Sequence, residues 1–313
     1  MLPAAAGLLL CLLVAAAVPS RLARASWPSR APSYALVLWQ ALGLVLGVLA
    51  IQTAVTVALA PAGETHAAAL AALAGGTAGP VPWWSWLAFA VALLLGGRLL
   101  TVLVAAVVGT LRARHRHRVL VDLVTSRNPL LAGARVVDHD APTAYCLPGL
   151  RPRVVLSRGV LDLLREDEVR AVLAHETAHV EQRHDLVVLP FVALGATFPR
   201  LEGVRTAQQQ VALLVEMLAD DRATRTHSPA VLARALHKVG AAQVPVGAAG
   251  VTGPSSAVPA ATDAVLRRAC RLVSPPPPLS VGARAVVVLG TTGVLLLPVL
   301  GIVGPDLSRL LAG

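Results

Sequence analysis

The chain has 313 residues, 56% of them hydrophobic and only 14% charged. A soluble globular domain carries about 25% charged residues, so this composition and the mean hydropathy of +0.69 argue against an ordinary soluble protein. The formal net charge of +10 lies largely beside apolar stretches, so a lipid bilayer with anionic headgroups is the expected partner and direct nucleic-acid binding is not expected.

In chain order, four apolar stretches are expected to cross the bilayer: Leu2–Val18, Tyr34–Ala60, Trp83–Gly109 and Ala285–Gly304. Each approaches the roughly 20 apolar residues that a span requires. No Lys or Arg precedes the first stretch, whereas Arg21, Arg24 and Arg30 follow it. That pattern fits an anchor better than a cleaved signal peptide. Residues 61–82 contain no Lys or Arg, while Arg112, Arg114, Arg116 and Arg118 follow the third stretch and Arg284 precedes the fourth. The positive-inside rule then places both termini outside and residues 111–280 in the cytoplasm. The expected domains are 1–110 with three spans, 111–280 as a cytoplasmic domain, and 281–313 with the fourth span and a short external tail. Cys11, Cys146 and Cys270 form no CxxC pair, which removes a cysteine-based zinc site, and a cytoplasmic placement removes structural disulfides.

Within the cytoplasmic segment, residues 111–128 read as a basic helix continuing the third span. Short strands are expected at Ala134–Asp138, Thr143–Leu147 and Val154–Leu156, the last after the turn Pro148–Pro152. Arg158–Leu164 reads as a short helix. A stronger helix follows, with Asp167 and Glu168 in its acidic first turn and Val169, Val172 and Leu173 at helical spacing. Pro190 and Pro199 punctuate the next stretch. Further helices are expected at about Thr206–Arg225 and Ser228–Val239. Residues 240–262, without Lys, Arg, Asp or Glu, read as a mobile loop, and Pro275–Pro278 as a stiff spacer before the last span.

The chemistry centres on His175-Glu176-Thr177-Ala178-His179. Two histidines four apart project from one helix face and can meet one zinc ion. Glu176, beside the first of them, can reach a zinc-bound water and act as its base. A catalytic zinc needs a third protein ligand and one open position. His184 is nine residues beyond His175 and, on a continuous helix, falls on the opposite side. Glu216 fits better. It lies in an apolar run with Asp220 one turn on, and two carboxylates on such a helix are costly to bury unless paired or metal-bound. Glu216 is therefore the expected third ligand. Asp220 is the expected acceptor for the free ring N–H of a ligand histidine. The competing reading is a structural ion pair of these carboxylates with Arg222 or Arg225. Tyr145 and His227 are candidate donors to a tetrahedral oxyanion, set against the plainer reading of a packed tyrosine and a surface histidine.

These motifs, His175-Glu176-x-x-His179 and Glu216-Met217-Leu218-Ala219-Asp220, resemble those of gluzincin-type membrane peptidases, in particular the BlaR1/MecR1-type integral membrane metallopeptidases of family M56. Residues 143–149, 167–175 and 183–185 are similar in style, as is a layout of three spans, peptidase and one span. The resemblance implies a multi-pass α-helical membrane protein of a bacterial cell membrane with a cytoplasmic α+β gluzincin-type zinc peptidase domain. It also implies a signalling protease that cleaves a protein substrate such as a BlaI/MecI-type repressor. The extracellular β-lactam-sensing domain of that family has no counterpart after the fourth stretch. Two other readings stand beside it: an M48-type membrane quality-control peptidase, which shares both motifs, and a non-catalytic membrane receptor with a vestigial site.

Overall fold

The computed structural model describes residues 2–127, 134–147, 153–242 and 257–312. Helix α1 (Leu2–Arg24) leads through the single turn α2 (Trp27–Arg30) into α3 (Pro32–Leu59). A short α4 (His66–Ala74) then precedes α5 (Trp83–Val124). Thr65 starts α4 by accepting from the Ala68 N–H at 3.1 Å, as a helix N-cap should.

The mixed domain follows directly from α5. Its sheet comprises β1 (Thr125–Arg127), β2 (Arg135–Val137), β3 (Ala144–Leu147) and β4 (Arg153–Ser157) in the order β1-β2-β4-β3. β2 and β4 are parallel, and the β1–β2 and β3–β4 pairs are antiparallel. β3 is thus an edge strand. The segment read as helix to residue 128 turns to strand at Thr125, because Thr125 pairs with Val137 and Arg127 with Arg135. The expected turn at 148–152 lies outside the described residues.

Helix α6 (Arg158–Leu163) starts where the Ser157 hydroxyl accepts from the Val160 N–H at 3.2 Å. Gly159 is required there, since a Cβ would lie 1.8 Å from the Asp140 carbonyl oxygen. The remaining elements are α7 (Glu166–Glu181), α8 (His184–Thr197), α9 (Glu202–Ala223), α10 (Pro229–Ala242), α11 (Ala257–Val273) and α12 (Val281–Ala312). The start of α7 is tied by Glu168. It accepts from the Arg165 N–H at 2.9 Å and from Lys238 Nζ of α10 at 2.6 Å. Leu156, Val160, Leu164, Val169, Val172 and Ala235 form the core between sheet, α6, α7 and α10.

Among the described residues, four helices are long and apolar enough to cross a membrane, with spans at Ala6–Arg24, Pro32–Leu59, Trp83–Arg112 and Val281–Gly304. The molecule is a multi-pass helical membrane protein with a mixed α/β domain. Beyond the fourth span, residues 305–312 continue α12 as helix. Two expectations need correction. The stretch punctuated by Pro190 and Pro199 is mostly the apolar helix α8. Pro190 interrupts its backbone ladder, and two glutamines supply hydrogen bonds nearby: Gln40 of α3 donates to the Val187 carbonyl at 2.7 Å and Gln208 of α9 to that of Phe191 at 2.9 Å. The expected loop 240–262 is helical at both margins, since α10 runs to Ala242 and α11 begins at Ala257; residues 243–256 lie outside the described set.

The mixed domain does more than hang between tethers. Leu22, Ala35, Leu36, Trp39 and Leu42 of the first two spans pack with Phe191 of α8 and with Ala207, Val211, Leu214 and Val215 of α9. Helix α9 therefore has one face on the bundle. Its other face carries Glu216 and Asp220 toward α7.

Candidate metal centre

Helix α7 presents His175 and His179 on one face, one turn apart, and α9 crosses it so that Glu216 meets both. The two Nε2 atoms are 3.2 Å apart. Glu216 Oε2 is 3.4 Å from His175 Nε2, and Oε1 is 3.5 Å from His179 Nε2. Zinc–ligand bonds of about 2.0–2.1 Å in a tetrahedron demand ligand separations of about 3.3 Å; each pairwise approach is near that value, and one ligand atom from each residue lies within 4.8 Å of the other two. Among the described residues this is the group of His, Cys, Asp and Glu able to hold a metal.

The histidine tautomers fit as well. His175 Nδ1 is 3.0 Å from Asp220 Oδ1, and Asp220 is 1% exposed. A proton held on Nδ1 leaves the Nε2 lone pair free for the metal. His179 is served by a residue that helix geometry seemed to exclude. Helix α7 ends at Glu181, and Arg183 adopts a left-handed conformation with φ 49°, at a cost of about 1–2 kcal/mol for a non-glycine residue. The helix is not continuous, so His184 does not fall on the opposite side; it remains outside the His175, His179 and Glu216 group, as expected, and reaches His179 instead. The turn brings His184 Nδ1 to 2.9 Å from His179 Nδ1, while His184 Nε2 lies 2.7 Å from Gln182 Oε1. With Gln182 accepting from His184 Nε2–H, His184 Nδ1 accepts from His179 Nδ1–H, which again leaves an Nε2 lone pair pointing at the metal position.

The electrostatics favour a cation. Burial disfavours the imidazolium of His175, but its hydrogen bonds to the Asp220 and Glu216 carboxylates outweigh it and push its pKa up to about 9. Burial would raise the Glu216 and Asp220 carboxyls. Their hydrogen bonds to His175 and the Arg268 guanidinium dominate and hold each at about 2. Glu176 differs: burial, assisted by the Glu216 charge, pushes its carboxyl up to about 7, near where a general base works best. The Cys146 backbone, on edge strand β3, supplies a hydrogen bond to that carboxylate.

Arg268 was not legible as a site residue. It comes from α11, is 7% exposed, and grips Asp220 with Nε–Oδ2 and Nη2–Oδ1 contacts of 2.8 Å each. Its Nη1 is 2.8 Å from Glu216 Oε2. An arginine does pair with the α9 carboxylates, but it is neither of those expected. Arg222 pairs with Glu181 at 3.0 Å. The two oxyanion candidates lie on different elements. Tyr145 packs against Val155 of β4, and His227, beyond the end of α9, has its Nδ1 2.9 Å from the Thr226 hydroxyl.

Fold and site together define a membrane-embedded protein with a His175/His179/Glu216 cluster consistent with zinc binding. Comparison with known proteins refines this. Residues 110–240 match the model of Peptidase family M48. The chain is similar to proteins named Protease HtpX homolog from Burkholderia cenocepacia, Burkholderia multivorans and Burkholderia ambifaria. Each is 35% identical over 74 residues, 23% of this chain and 26% of the relative. The chain thus spans about a quarter of the length of these curated relatives. No solved structure matches it significantly. The likeness to family M56 is thereby overturned in favour of M48, and the repressor partner implied by it loses its basis. The two readings shared their motifs because zinc chemistry dictates an HExxH helix and a following carboxylate helix, whatever the lineage.

Proposed function

We propose that this chain is a membrane zinc metalloendopeptidase of the M48 type that cleaves protein substrates at the membrane surface, in the manner of a quality-control protease. The observation that carries it is the convergence of His175, His179 and Glu216, with one ligand atom of each within 4.8 Å of the others, and with Glu176 next to the first of them and buried enough to act as a base. In this reading His175, His179 and Glu216 hold the metal, Asp220 orients His175, and His184 orients His179. Zinc there would supply Lewis-acid polarisation of a carbonyl and a water acidified toward neutrality. Glu176 takes the water proton on its carboxylate and returns it to the leaving amine. An extended substrate adds along the edge strand β3, whose backbone lies beside Glu176.

Two further features support placement of the mixed domain in the cytoplasm. The arginines at 112–118 and at 284 flank it on both sides, and the loop 61–82 carries none. The full-length protein in detergent should contain one equivalent of zinc and cleave an unfolded reporter protein. Glu176→Gln should keep the zinc and lose the cleavage. Turnover near wild type in that variant would overturn the assignment.

A further inference from the structure

Helix α11 lies beyond the segment that matches the peptidase family. Its Arg268 nevertheless reaches the centre of the site. One guanidinium touches three of the groups assigned above: both oxygens of Asp220, Oε2 of Glu216, and His175, whose Nε2 is 3.4 Å from Nη2. We infer that Arg268 is a positioning residue for the metal ligands, fixing the carboxylates of Glu216 and Asp220 in the orientation that zinc binding requires. The inference rests on the zinc reading and deepens it.

The physical case has three parts. First, Asp220 is almost wholly buried, and a buried carboxylate needs a fixed counter-charge. Arginine provides one that stays charged at any working pH and matches a carboxylate with two parallel N–H groups. That grip holds an Asp220 oxygen toward His175 Nδ1, where it accepts the Nδ1 proton and leaves Nε2 its lone pair. Second, Nη1 holds Glu216 Oε2 and leaves Oε1, the oxygen nearer His179, for the metal. Third, the charges balance. Glu176, Glu216 and Asp220 carry three negative charges as carboxylates; a divalent ion and one guanidinium carry three positive ones. Without Arg268 the metal-bound site would hold a net negative charge.

Helix α11 is itself pinned. One turn beyond Arg268, Arg271 grips Asp221 with contacts of 2.6 and 2.9 Å and donates to the Ser29 carbonyl at 2.7 Å. Arg30 of α2 donates to the carbonyls of Pro277 and Pro278 at 2.9 and 3.4 Å. The proline spacer and α11 thus form a strap from the connection between the first two spans to the ligand helix α9. Arg268 is held at the site from the membrane side.

The test uses the full-length protein in detergent and reads metal binding rather than activity. Zinc affinity is measured by competition with a chelator, and ligand geometry by the visible absorption of the cobalt(II)-substituted protein. Arg268→Lys keeps the buried charge but cannot make the two-pronged contact. It should bind zinc about 10–100-fold more weakly, as loss of a ligand-orienting partner does, with an altered cobalt spectrum. In Arg268→Ala, added guanidinium ion should restore zinc affinity where the same concentration of sodium does not. Wild-type affinity and an unchanged cobalt spectrum in Arg268→Lys would overturn the inference, as would equal responses to guanidinium and sodium in Arg268→Ala. Absence of zinc binding by the wild-type protein would instead remove the peptidase reading on which it stands.

Discussion

Helices α7 and α11 both supply the site, and they do so in opposite ways. Helix α7 contributes a contiguous motif in which His175 and His179 share one helix face with Glu176 beside the first, and it needs no other element to be recognised. Helix α11 contributes one side chain, Arg268, which lies 93 residues from His175 in sequence and 48 from Asp220. The two histidines can be specified locally because their spacing is a property of one helix. Their orientation is specified non-locally, by whatever docks behind them. Helix α9 stands between the two cases, with its ligand face on α7 and α11 and its apolar face on the spans.

The sharpest way to break this comparison is Glu176→Gln, which leaves every orienting contact in place. Removing a positioned general base should lower kcat by about 10²–10⁴ without loss of zinc, with initial rates and elemental analysis as the readouts. Next is Trp39→Ala in the second span. Trp39 is 2% exposed against α9, and truncating a buried Trp costs about 3–5 kcal/mol. If α9 depends on the bundle, thermal unfolding in detergent should move down and zinc should be lost in the same transition. Two separate transitions would show that the mixed domain holds its ligand helix alone.

Asp220→Asn tests orientation without deleting volume. Zinc affinity should fall about 10–100-fold, less than in His179→Ala, where a ligand is gone and full zinc occupancy is not expected. An Asp220→Asn protein with unchanged affinity would mean that the His175 tautomer is set elsewhere. The smallest expected effect is at Glu168, far from the metal. Burial would raise its carboxyl, but Lys238, the Arg165 N–H and Arg234 outweigh burial and lower its pKa. A carboxyl lowered on folding stabilises above its unfolded pKa, and the contribution fades as pH falls through the folded one. Glu168→Gln should therefore cost about 1.5–3 kcal/mol near neutral pH, and the gap from wild type should close below the usual carboxylate range. A gap that is constant with pH would assign the loss to packing.

The spans were legible because each is a long run whose signal is composition, and the lipid environment forces such runs into helices. The strands at 135–137, 144–147 and 153–157 were legible from short β-rich runs between turn residues. Helix α8 was obscured by Pro190, which reads as a breaker in sequence but lies inside the helix. The likeness to M56 was misread for a related reason. HExxH and Glu-x-x-x-Asp describe a zinc chemistry, and the choice between M56 and M48 lay in residues 110–240 taken together, not in the motif positions.

At the site itself, the sequence alone determined that His175 and His179 would share a face, that Glu176 would sit beside the metal position, and that Glu216 and Asp220 would lie one turn apart on another helix. These follow from the 3.6-residue period and from the cost of burying unpaired carboxylates. Tertiary structure decided the rest. Arg183 breaks the helix and swings His184 back to His179, and the packing of α9 on the bundle sets its angle to α7. The α11 strap then carries Arg268 to the buried carboxylates. None of these has a local signal, because each depends on where a turn sends the chain and on which distant helix closes over the charge.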